Sequence, residues 1–218
     1  MEAESLRILW EDESLLVAVK RPGINSESTP DGRGLPDLLA SEHGPYIAPI
    51  HRLDFGVGGA LLCAKTQAAA AILSRALAEG KIKKEYFALA HGKLPDSGTL
   101  EDLLFYDRKA GKSFVVDRER KGVKAASLSF MCEQVKDTPW GEISLLRVLP
   151  KTGRTHQIRV QFSHAGHPLL GDRKYGAPEN LSIGLCSARL TFPHPLTGAA
   201  ITVEYQPCGG AWDLFFPA

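Results

Sequence analysis

The chain has 218 residues and a formal net charge of +1, with 44% hydrophobic and 23% charged residues. This length and apolar fraction predict a packed globular protein that forms one sizeable domain or two small lobes. The near-neutral charge excludes a histone-like polycation. The basic residues are nevertheless clustered along the chain, and clustering is what a nucleic-acid-binding face requires.

The sequence carries none of the usual signals for export or for membrane insertion. Residues 1–5 are acidic and polar rather than basic and then apolar, and no apolar run approaches the roughly 20 residues that a membrane helix needs. The cysteines lack Cys-x-x-Cys spacing, which favours free thiols over disulfides or a zinc site. We therefore expect a soluble, cytoplasmic protein with no membrane partner.

In the first third of the chain, the pattern of apolar and turn-forming residues predicts a pair of strands followed by an exposed loop. Apolar runs at 7–10 and 15–20 on either side of Glu11-Asp12-Glu13-Ser14 are typical of a β-hairpin, and Pro22-Gly23 ends its second strand. The segment 25–36 is rich in Ser, Pro, Gly and Asp, which predicts an exposed loop. A short helix is expected around 37–42.

The clearest predicted helix runs from Thr66 to Glu79. Thr66 is a suitable N-cap and Gly80 is expected to end the helix. The residues predicted to share its apolar face are Ile72, Leu73, Ala76 and Leu77. Further along the chain, strands are predicted at 124–135, 142–149, 185–192 and 200–205, with only short, weak strands between 94 and 124.

The segment His51-Arg52-Leu53-Asp54 places a base, a cation and a carboxylate within four residues. It precedes a glycine-rich, apolar run at 58–65 that predicts a buried strand, so Asp54 is expected on the loop or bend leading into that strand. Arg52 could tune the charge of Asp54 or hold an anion beside it. From these four residues alone, a structural ion pair is a more frequent explanation than catalysis.

Residues 81–92 form a basic entry into an apolar strand, with Tyr86 at its mouth. Two interpretations stay open at this point. Tyr86 and Phe87 can be core aromatics beside solvated lysines. Alternatively, the lysines bind phosphates and Tyr86 offers a flat face to an unstacked base.

The region 151–176 is dense in basic and polar residues. Thr155 is predicted to start a helix that ends at Gly166-His167-Pro168, with Thr155 and Arg159 on one side of it. Arg154 lies at the predicted helix start, where its guanidinium can bind a carboxylate or a phosphate through two hydrogen bonds. A cation gains nothing from the dipole at that end, so its presence indicates an anionic partner.

Metal and nucleotide-cofactor sites are disfavoured by the motifs. The pair His164 and His167 is loose and has no third ligand at a zinc-like spacing. No Gly-x-Gly-x-x-Gly or Walker pattern opens a helix after a strand. The sequence therefore predicts neither a metal nor a cofactor.

Several motifs in this order resemble the RluA-type RNA pseudouridine synthases, and the resemblance runs from about Ile8 to Tyr205. The motifs that carry it are His51-Arg52-Leu53-Asp54, Lys83-Lys84-Glu85-Tyr86 with Ala90-His91-Gly92, the run from Gly153 to Val160, Gly166-His167-Pro168-Leu169-Leu170-Gly171-Asp172 with Tyr175-Gly176, and the turn from Phe192 to Gly198. Motifs of this length do not recur by chance as short glycine patterns do.

The resemblance implies an α+β pseudouridine synthase fold, with a mainly antiparallel mixed sheet, flanking helices and a central cleft in one catalytic domain over 1–218. It implies an isomerase that converts specific uridines of ribosomal or transfer RNA stem-loops to pseudouridine. The enzyme is expected to work as a monomer, without metal or cofactor. No S4-type RNA-binding domain precedes Ile8, so the catalytic domain is expected to choose the target.

The resemblance also implies roles for individual residues. Asp54 matches the catalytic carboxylate, which attacks the sugar, attacks the base or assists loss of the base. Arg154 matches the arginine that pairs with it, Tyr86 the tyrosine that stacks on the base, and Arg52 the arginine that helps extrude the target nucleotide. The residues expected to bind substrate are His51, Arg52, Tyr86, Arg154 and Ile158.

Three segments depart from the family pattern. Val57-Gly58-Gly59 stands where Thr-Ser-Gly is usual, so two hydroxyls are missing near the site. Lys20-Arg21-Pro22-Gly23 differs from the usual Lys-Pro-x-Gly, and Leu185-Cys186-Ser187 differs from Leu-His-Ala. These departures put substrate contacts or rate in question, whereas the expected aspartate, tyrosine and arginine are present.

Two alternatives remain at this point. The altered segment 57–59 is compatible with an RNA-binding protein of the same fold that has weak or no catalysis. A carboxylate glycoside hydrolase requires a second acid opposite Asp54. Glu85 and Asp172 are the candidates for that acid in the motif regions.

Overall fold

The computed structural model describes residues 6–217, which divide into two compact units. The first unit contains the chain up to Lys84 together with Cys186–Pro207, and the second contains Glu85–Leu185 together with the chain from Cys208 onward. The single catalytic domain expected over 1–218 stays a prediction.

The elements follow one another as β1 (Ile8–Glu11), β2 (Leu15–Lys20), α1 (Leu35–His43), β3 (Ala48–Pro49), β4 (Gly58–Ala64), α2 (Gln67–Ala78), β5 (Lys83–His91), β6 (Ser97–Asp107), β7 (Lys112–Val116), β8 (Val123–Thr138), β9 (Gly141–Pro150), α3 (Gln157–His164), β10 (Leu185–Pro193) and β11 (Ala200–Glu204). Short 3-10 turns occupy Arg173–Tyr175 and Gly210–Leu214.

The first unit is built on a mixed sheet with the strand order β1-β2-β4-β10, to which β11 adds beside β10 and β3 beside β4. The predicted β1-β2 hairpin is confirmed. Its turn is fixed by Asp12, whose carboxylate accepts hydrogen bonds from the backbone N–H groups of Ser14 at 2.7 Å and Leu15 at 2.9 Å. Such Asx turns are a common way to reverse the chain between strands.

Helix α2 confirms the predicted N-cap, because the Thr66 hydroxyl accepts a hydrogen bond from Ala69 N at 3.1 Å. The predicted apolar face is partly wrong. Ala69, Leu73 and Ala76 are buried, whereas Ile72 is 44% exposed. The buried residues follow the 4-then-3 spacing of one helical face, and Ile72 lies about 100° away from Leu73 around the axis.

The second unit is an antiparallel sheet with the strand order β5-β9-β8-β6-β7. Strands β8 and β9 form the predicted hairpin, but they extend further toward its tip than expected and leave only Pro139-Trp140 between them. Strand β6 has 11 residues, although this region predicted only weak strands. Most of its side chains are exposed or half-buried, so the apolar alternation that reveals a strand is faint.

Helix α3 starts later than the sequence predicts. It begins at Gln157, and its N-cap His156 has a left-handed φ of 55°. Thr155 therefore lies outside the helix, and the prediction that Thr155 and Arg159 share a helical face is wrong. The predicted end is confirmed, since the helix stops at His164 and Gly166 takes a φ of 86°.

The sheets and helices confirm the predicted α+β class. All four cysteines are free. No helix between residues 6 and 217 is long and apolar enough to cross a membrane. The segment 25–33 is mostly exposed, as predicted, although Ser26 within it is buried. Leu35 and Pro36, which the predicted loop included, belong to α1.

Two backbones approach closely in the first unit where β4 runs parallel to β10, with Gly59 opposite Ser187. Gly59 has a φ of 112°, and a Cβ at this position would overlap the backbone of Ser187. Gly44 has a similar φ of 105°, but an added Cβ there meets no atom within 4 Å. An alanine would therefore have a strained backbone at either position, but it would clash with neighbouring atoms only at position 59.

We predict that Gly59→Ala lowers the free energy of unfolding by about 3 kcal/mol or more, because it adds a backbone clash to the strain of a rare φ. Gly44→Ala should cost only the strain, about 1–3 kcal/mol. Urea denaturation of both variants measures the difference. Equal losses in the two variants would show that the β4-β10 contact is not as tight as described.

Candidate functional site

Asp54 lies in a turn that leads directly into β4, as the sequence predicts. Its carbonyl oxygen accepts a hydrogen bond from Val57 N at 2.9 Å, which closes the turn. The residue is half-buried. A rigid strand therefore follows the carboxylate within a few residues, which restricts where its oxygens can lie.

The loop after β2 holds the backbone on both sides of Asp54. Before it, the Ser26 hydroxyl donates to Leu53 O at 2.8 Å and accepts from Leu53 N at 2.9 Å. After it, Gly23 N donates to Phe55 O at 2.8 Å. The sequence interpretation treated this loop as exposed, so it missed these contacts.

Lys20 is a further residue at this site that the sequence interpretation missed. It ends β2, and its side chain is completely buried, with its ammonium donating to Ile24 O at 2.8 Å and to Phe55 O at 3.4 Å. Burial lowers the pKa of Lys20 to about 8, while the charge of Asp54 opposes that shift. The ammonium of a lysine at a strand end usually lies in solvent, so the sequence did not predict that Lys20 is buried.

Arg52 lies on the surface of the first unit. Its Nη1 is 3.1 Å from Oε2 of Glu27, and both side chains are more than 60% exposed. Exposed ion pairs contribute only about 0–1 kcal/mol, so an anionic ligand can replace Glu27 at little cost. Its proposed role in nucleotide extrusion stays a prediction.

His51 faces the interior, with 6% of the residue exposed. Its Nε2 accepts a hydrogen bond from Leu62 N at 3.3 Å, which ties the segment to β4. Burial, with a smaller contribution from the charge of Lys84, lowers the pKa of His51 to about 3. The imidazole is therefore neutral near pH 7. Its predicted role in substrate binding is untested.

Tyr86 and Ile158 belong to the second unit, and both are largely buried. Tyr86 lies on β5 opposite Val148 of β9 and is 8% exposed. Ile158 is in the first turn of α3 and is 7% exposed. Neither substrate contact expected from the sequence is tested by this placement.

Arg154 lies in the turn just before α3, and Gln157 fixes that turn. Gln157 Oε1 accepts from Arg154 N at 3.0 Å and from the Thr152 hydroxyl at 2.7 Å, and its Nε2 donates to Ser127 O at 3.1 Å. Arg154 Nε donates to Ala125 O at 2.9 Å. Sequence reasoning missed Gln157, because a glutamine inside a predicted helix is usually exposed.

The same turn is supported by a tyrosine from a later segment. Tyr175 Oη lies 2.9 Å from His156 Nδ1 and accepts a hydrogen bond from Ser113 N at 2.8 Å. Burial raises the pKa of Tyr175 to about 12, so the hydroxyl keeps its proton and can donate it to His156. This contact holds the left-handed residue between Arg154 and α3.

Both candidates for the second acid of a glycoside hydrolase are paired with arginines. Asp172 is 1% exposed and binds Arg159 through two hydrogen bonds of 2.6 and 2.8 Å. Glu85 lies 3.2 Å from Arg147. Each carboxylate is thus engaged in an ion pair within the fold, whereas a general acid has to contact the leaving group of the substrate. This chemistry argues against the hydrolase alternative.

The predicted site residues therefore belong to two groups. His51, Arg52 and Asp54 occupy one segment of the first unit, and Tyr86, Arg154 and Ile158 belong to the second unit. Within residues 6–217, no group of three or more His, Cys, Asp or Glu side chains could hold a metal ion.

Two departures from the expected motifs lie against each other. A Cβ added to Gly58 would stand 3.0 Å from Cδ and 3.3 Å from Cγ of Pro22. The proline is one position later here than in the usual Lys-Pro-x-Gly, and its ring occupies the space beside Gly58. The missing Ser side chain and the displaced proline are thus sterically complementary.

The chain is similar to proteins of one known family. The sequence model of the family described as RNA pseudouridylate synthase matches residues 14–164, a range that contains all six predicted site residues. The ribosomal large subunit pseudouridine synthase C of Buchnera aphidicola is 35% identical over 216 residues, which cover 91% of this chain and 66% of that protein. The tRNA pseudouridine synthase C of Pasteurella multocida is 29% identical, with 91% and 90% covered.

The fold has solved counterparts. The human RNA pseudouridylate synthase domain containing 1 superposes with a TM-score of 0.82 at 25% identity, covering 94% of this chain and 84% of that one. The chain spans only 64% of the ribosomal large subunit pseudouridine synthase D of Vibrio vulnificus, to which it is 33% identical over 88% of its own length. Similar relatives thus include proteins about one and a half times as long.

We predict that Gly58→Ser destabilises the protein more in the native background than in a Pro22→Ala background. In the native background the added Cβ meets the proline ring as well as Lys20 O at 3.2 Å, and the Pro22→Ala background removes the contact with the ring. A double-mutant cycle of unfolding free energies should give a coupling of about 0.5–3 kcal/mol. Strictly additive effects would contradict the proposed steric complementarity.

We also predict an acid-dependent loss of stability through His51. The pKa is about 3 in the folded protein against an ordinary value of 6.5, so only the unfolded chain binds this proton between those limits. The stabilisation is complete above pH 6.5 and is lost as the pH falls toward 3. From pH 7 to about pH 4.5 the loss should be on the order of 2–3 kcal/mol.

Unfolding of the native protein, His51→Gln and the exposed control His164→Gln at both pH values measures this effect. The His51 variant should lose part of the pH dependence, and the control should keep it. The same pH dependence in all three proteins would contradict the assignment of a buried, neutral His51.

Proposed function

The chain belongs to the RNA pseudouridylate synthase family, and from this we propose that it isomerises uridine to pseudouridine in a structured RNA. The observation that carries the proposal is the position of the family match, since residues 14–164 include the segment of Asp54, the strand of Tyr86 and the turn of Arg154. The relatives named above act on ribosomal and transfer RNA. We propose the same substrate class for this chain.

The proposed reaction exchanges one bond for another at the same ribose. The bond between uracil N1 and ribose C1′ breaks, the base turns, and a bond forms between C5 and C1′. A proton leaves C5, and N1 gains one. The balance of atoms and electrons is complete within the nucleotide, so no oxidant or reductant takes part.

Asp54 is the proposed catalytic carboxylate. Its surroundings support the assignment, because hydrogen bonds from Ser26 and Gly23 fix the residues on either side and Val57 closes the turn. The carboxylate can attack the sugar, attack the base or assist loss of the base. Each of these routes requires a carboxylate at a defined position. The proposal holds for each of these three routes.

The remaining predicted residues are proposed to bind the substrate. Arg52 is exposed, and its weak ion pair with Glu27 can be replaced by a contact with an RNA phosphate. Alternatively, its side chain fills the position in the RNA that the extruded nucleotide leaves. Tyr86 is proposed to stack on the uracil, and Arg154 to supply positive charge to the reaction. RNA loops suit such an enzyme, because unpaired bases cost little to turn outward.

The alternative of an RNA-binding protein without catalysis is less favoured. It rested on the unusual Val57-Gly58-Gly59 segment. The proline ring of the displaced Pro22 lies beside Gly58, so the altered segment is packed rather than left with a gap. We therefore propose that the protein is an active synthase.

We predict that Asp54→Asn abolishes pseudouridine formation and leaves RNA affinity nearly unchanged, because the amide keeps the shape of the side chain and removes its charge. The substrate is total RNA from cells that lack the gene, labelled with tritium at uridine C5. Formation of pseudouridine releases this tritium to water.

The matched control is Asp96→Asn, the same substitution at an exposed carboxylate in the second unit. It should keep full activity. Tritium release by Asp54→Asn at the native rate would overturn Asp54 as the catalytic carboxylate. Absence of release by the native protein would contradict the synthase and favour RNA binding alone.

A further inference from the structure

Lys20 is the largest completely buried side chain of the first unit, and it carries an ionisable group into the interior. Lysine is almost never fully buried unless its charge is compensated. Its ammonium has three hydrogen-bond donors, and it contacts three backbone carbonyls, Ile24 O at 2.8 Å, Arg21 O at 3.2 Å and Phe55 O at 3.4 Å. Each of the three N–H donors of the buried ammonium therefore has a carbonyl acceptor.

These carbonyls belong to two different segments. Arg21 and Ile24 lie in the loop after β2, whereas Phe55 directly follows Asp54. Gly23 N, from the same loop, donates to the same Phe55 carbonyl at 2.8 Å. The ammonium consequently joins the loop to the turn of Asp54, one residue from the carboxylate.

Asp54 is the charged group that acts on the Lys20 ammonium, and its effect opposes that of burial. The neighbouring strand β4 places Gly59 and Ala60 opposite the end of β2, and neither has an ionisable side chain. Arg21 and Ile24 contribute backbone carbonyls to the contact. The ammonium and the Asp54 carboxylate therefore attract each other.

We propose that Lys20 is a positioning residue for Asp54, which fixes the turn that carries the carboxylate by binding the backbone carbonyl of the next residue, Phe55. The kinetic consequences of this inference rest on the proposed function. Lys20 would affect the reaction only by holding Asp54 in place, without contacting the substrate itself. The electrostatic link itself can be tested without any RNA.

The first test measures that link by NMR titration of the protein labelled with ¹³C in lysine. The Lys20 signal should titrate near pH 8 in the native protein. In Asp54→Asn it should titrate at lower pH, because the carboxylate that favours the ammonium is gone. An unchanged Lys20 titration in Asp54→Asn overturns the inference, whether or not the protein is an active synthase.

The second test compares the kinetics of Lys20→Met and Lys20→Arg in the tritium-release assay. Lys20→Met keeps the length of the side chain without its charge, and its kcat should fall on the order of 10- to 100-fold because the carboxylate is misplaced. Its affinity for RNA should stay within about twofold of the native value, since Lys20 is completely buried and its ammonium binds backbone carbonyls. Thermal unfolding of each variant establishes how much of it is folded.

The pH profile separates positioning from a merely structural role. Native kcat should decline as the pH rises past about 8, where the Lys20 ammonium loses its proton. In Lys20→Arg, which stays charged, the decline should move to higher pH. Variants that lose activity only in proportion to their folded fraction, with the native pH profile, would overturn the positioning role.

The two sets of results distinguish the possible failures. An inactive native protein in which Asp54 still shifts the Lys20 titration contradicts the proposed function and supports the electrostatic link. An active native protein with unaffected Lys20→Met kinetics contradicts the inference and leaves the synthase proposal intact.

Discussion

The position of the Asp54 carboxylate depends on hydrogen bonds to the backbone on both sides of it. Ser26 holds Leu53, and Gly23 together with the buried Lys20 holds Phe55. Each of these donors comes from the end of β2 or the loop that follows it, while β4 begins four residues after the carboxylate. A side chain on an otherwise irregular segment thereby gains the fixed geometry that reaction with a bound nucleotide requires.

The turn of Arg154 in the second unit is held in a comparable way by buried polar side chains. Gln157 binds the backbone of that turn, and Tyr175 binds His156 at the start of α3. The bidentate contact of Arg159 with Asp172 is buried in the same unit. Removal of one partner from such a contact leaves an uncompensated charge and is strongly destabilising. In each unit, polar groups with satisfied hydrogen bonds therefore restrain a segment that carries a proposed site residue.

The sequence predicted much of this structure, and the misses have physical causes. The β1-β2 hairpin, the capped helix α2 and the bend at Asp54 were predictable because turn residues and apolar spacing act locally. The start of α3 was not, because a tyrosine almost 20 residues later supports the left-handed His156. Lys20 and Gln157 were missed for a related reason: polar residues are normally exposed, and only the folded backbone shows which carbonyls and N–H groups they bind. The departures at Pro22 and Gly58 looked independent in the sequence and are neighbours in space.

Membership of the family and the restrained Asp54 together make a specific claim, that this chain forms pseudouridine in cellular RNA. The relatives differ in their substrates, since some are named for ribosomal and others for transfer RNA. Mapping of pseudouridines in total RNA from cells with and without the gene is the most direct test. The account predicts one or a few uridines in ribosomal or transfer RNA that lose the modification without the gene and regain it when the gene is restored. Identical maps from both kinds of cell would contradict it.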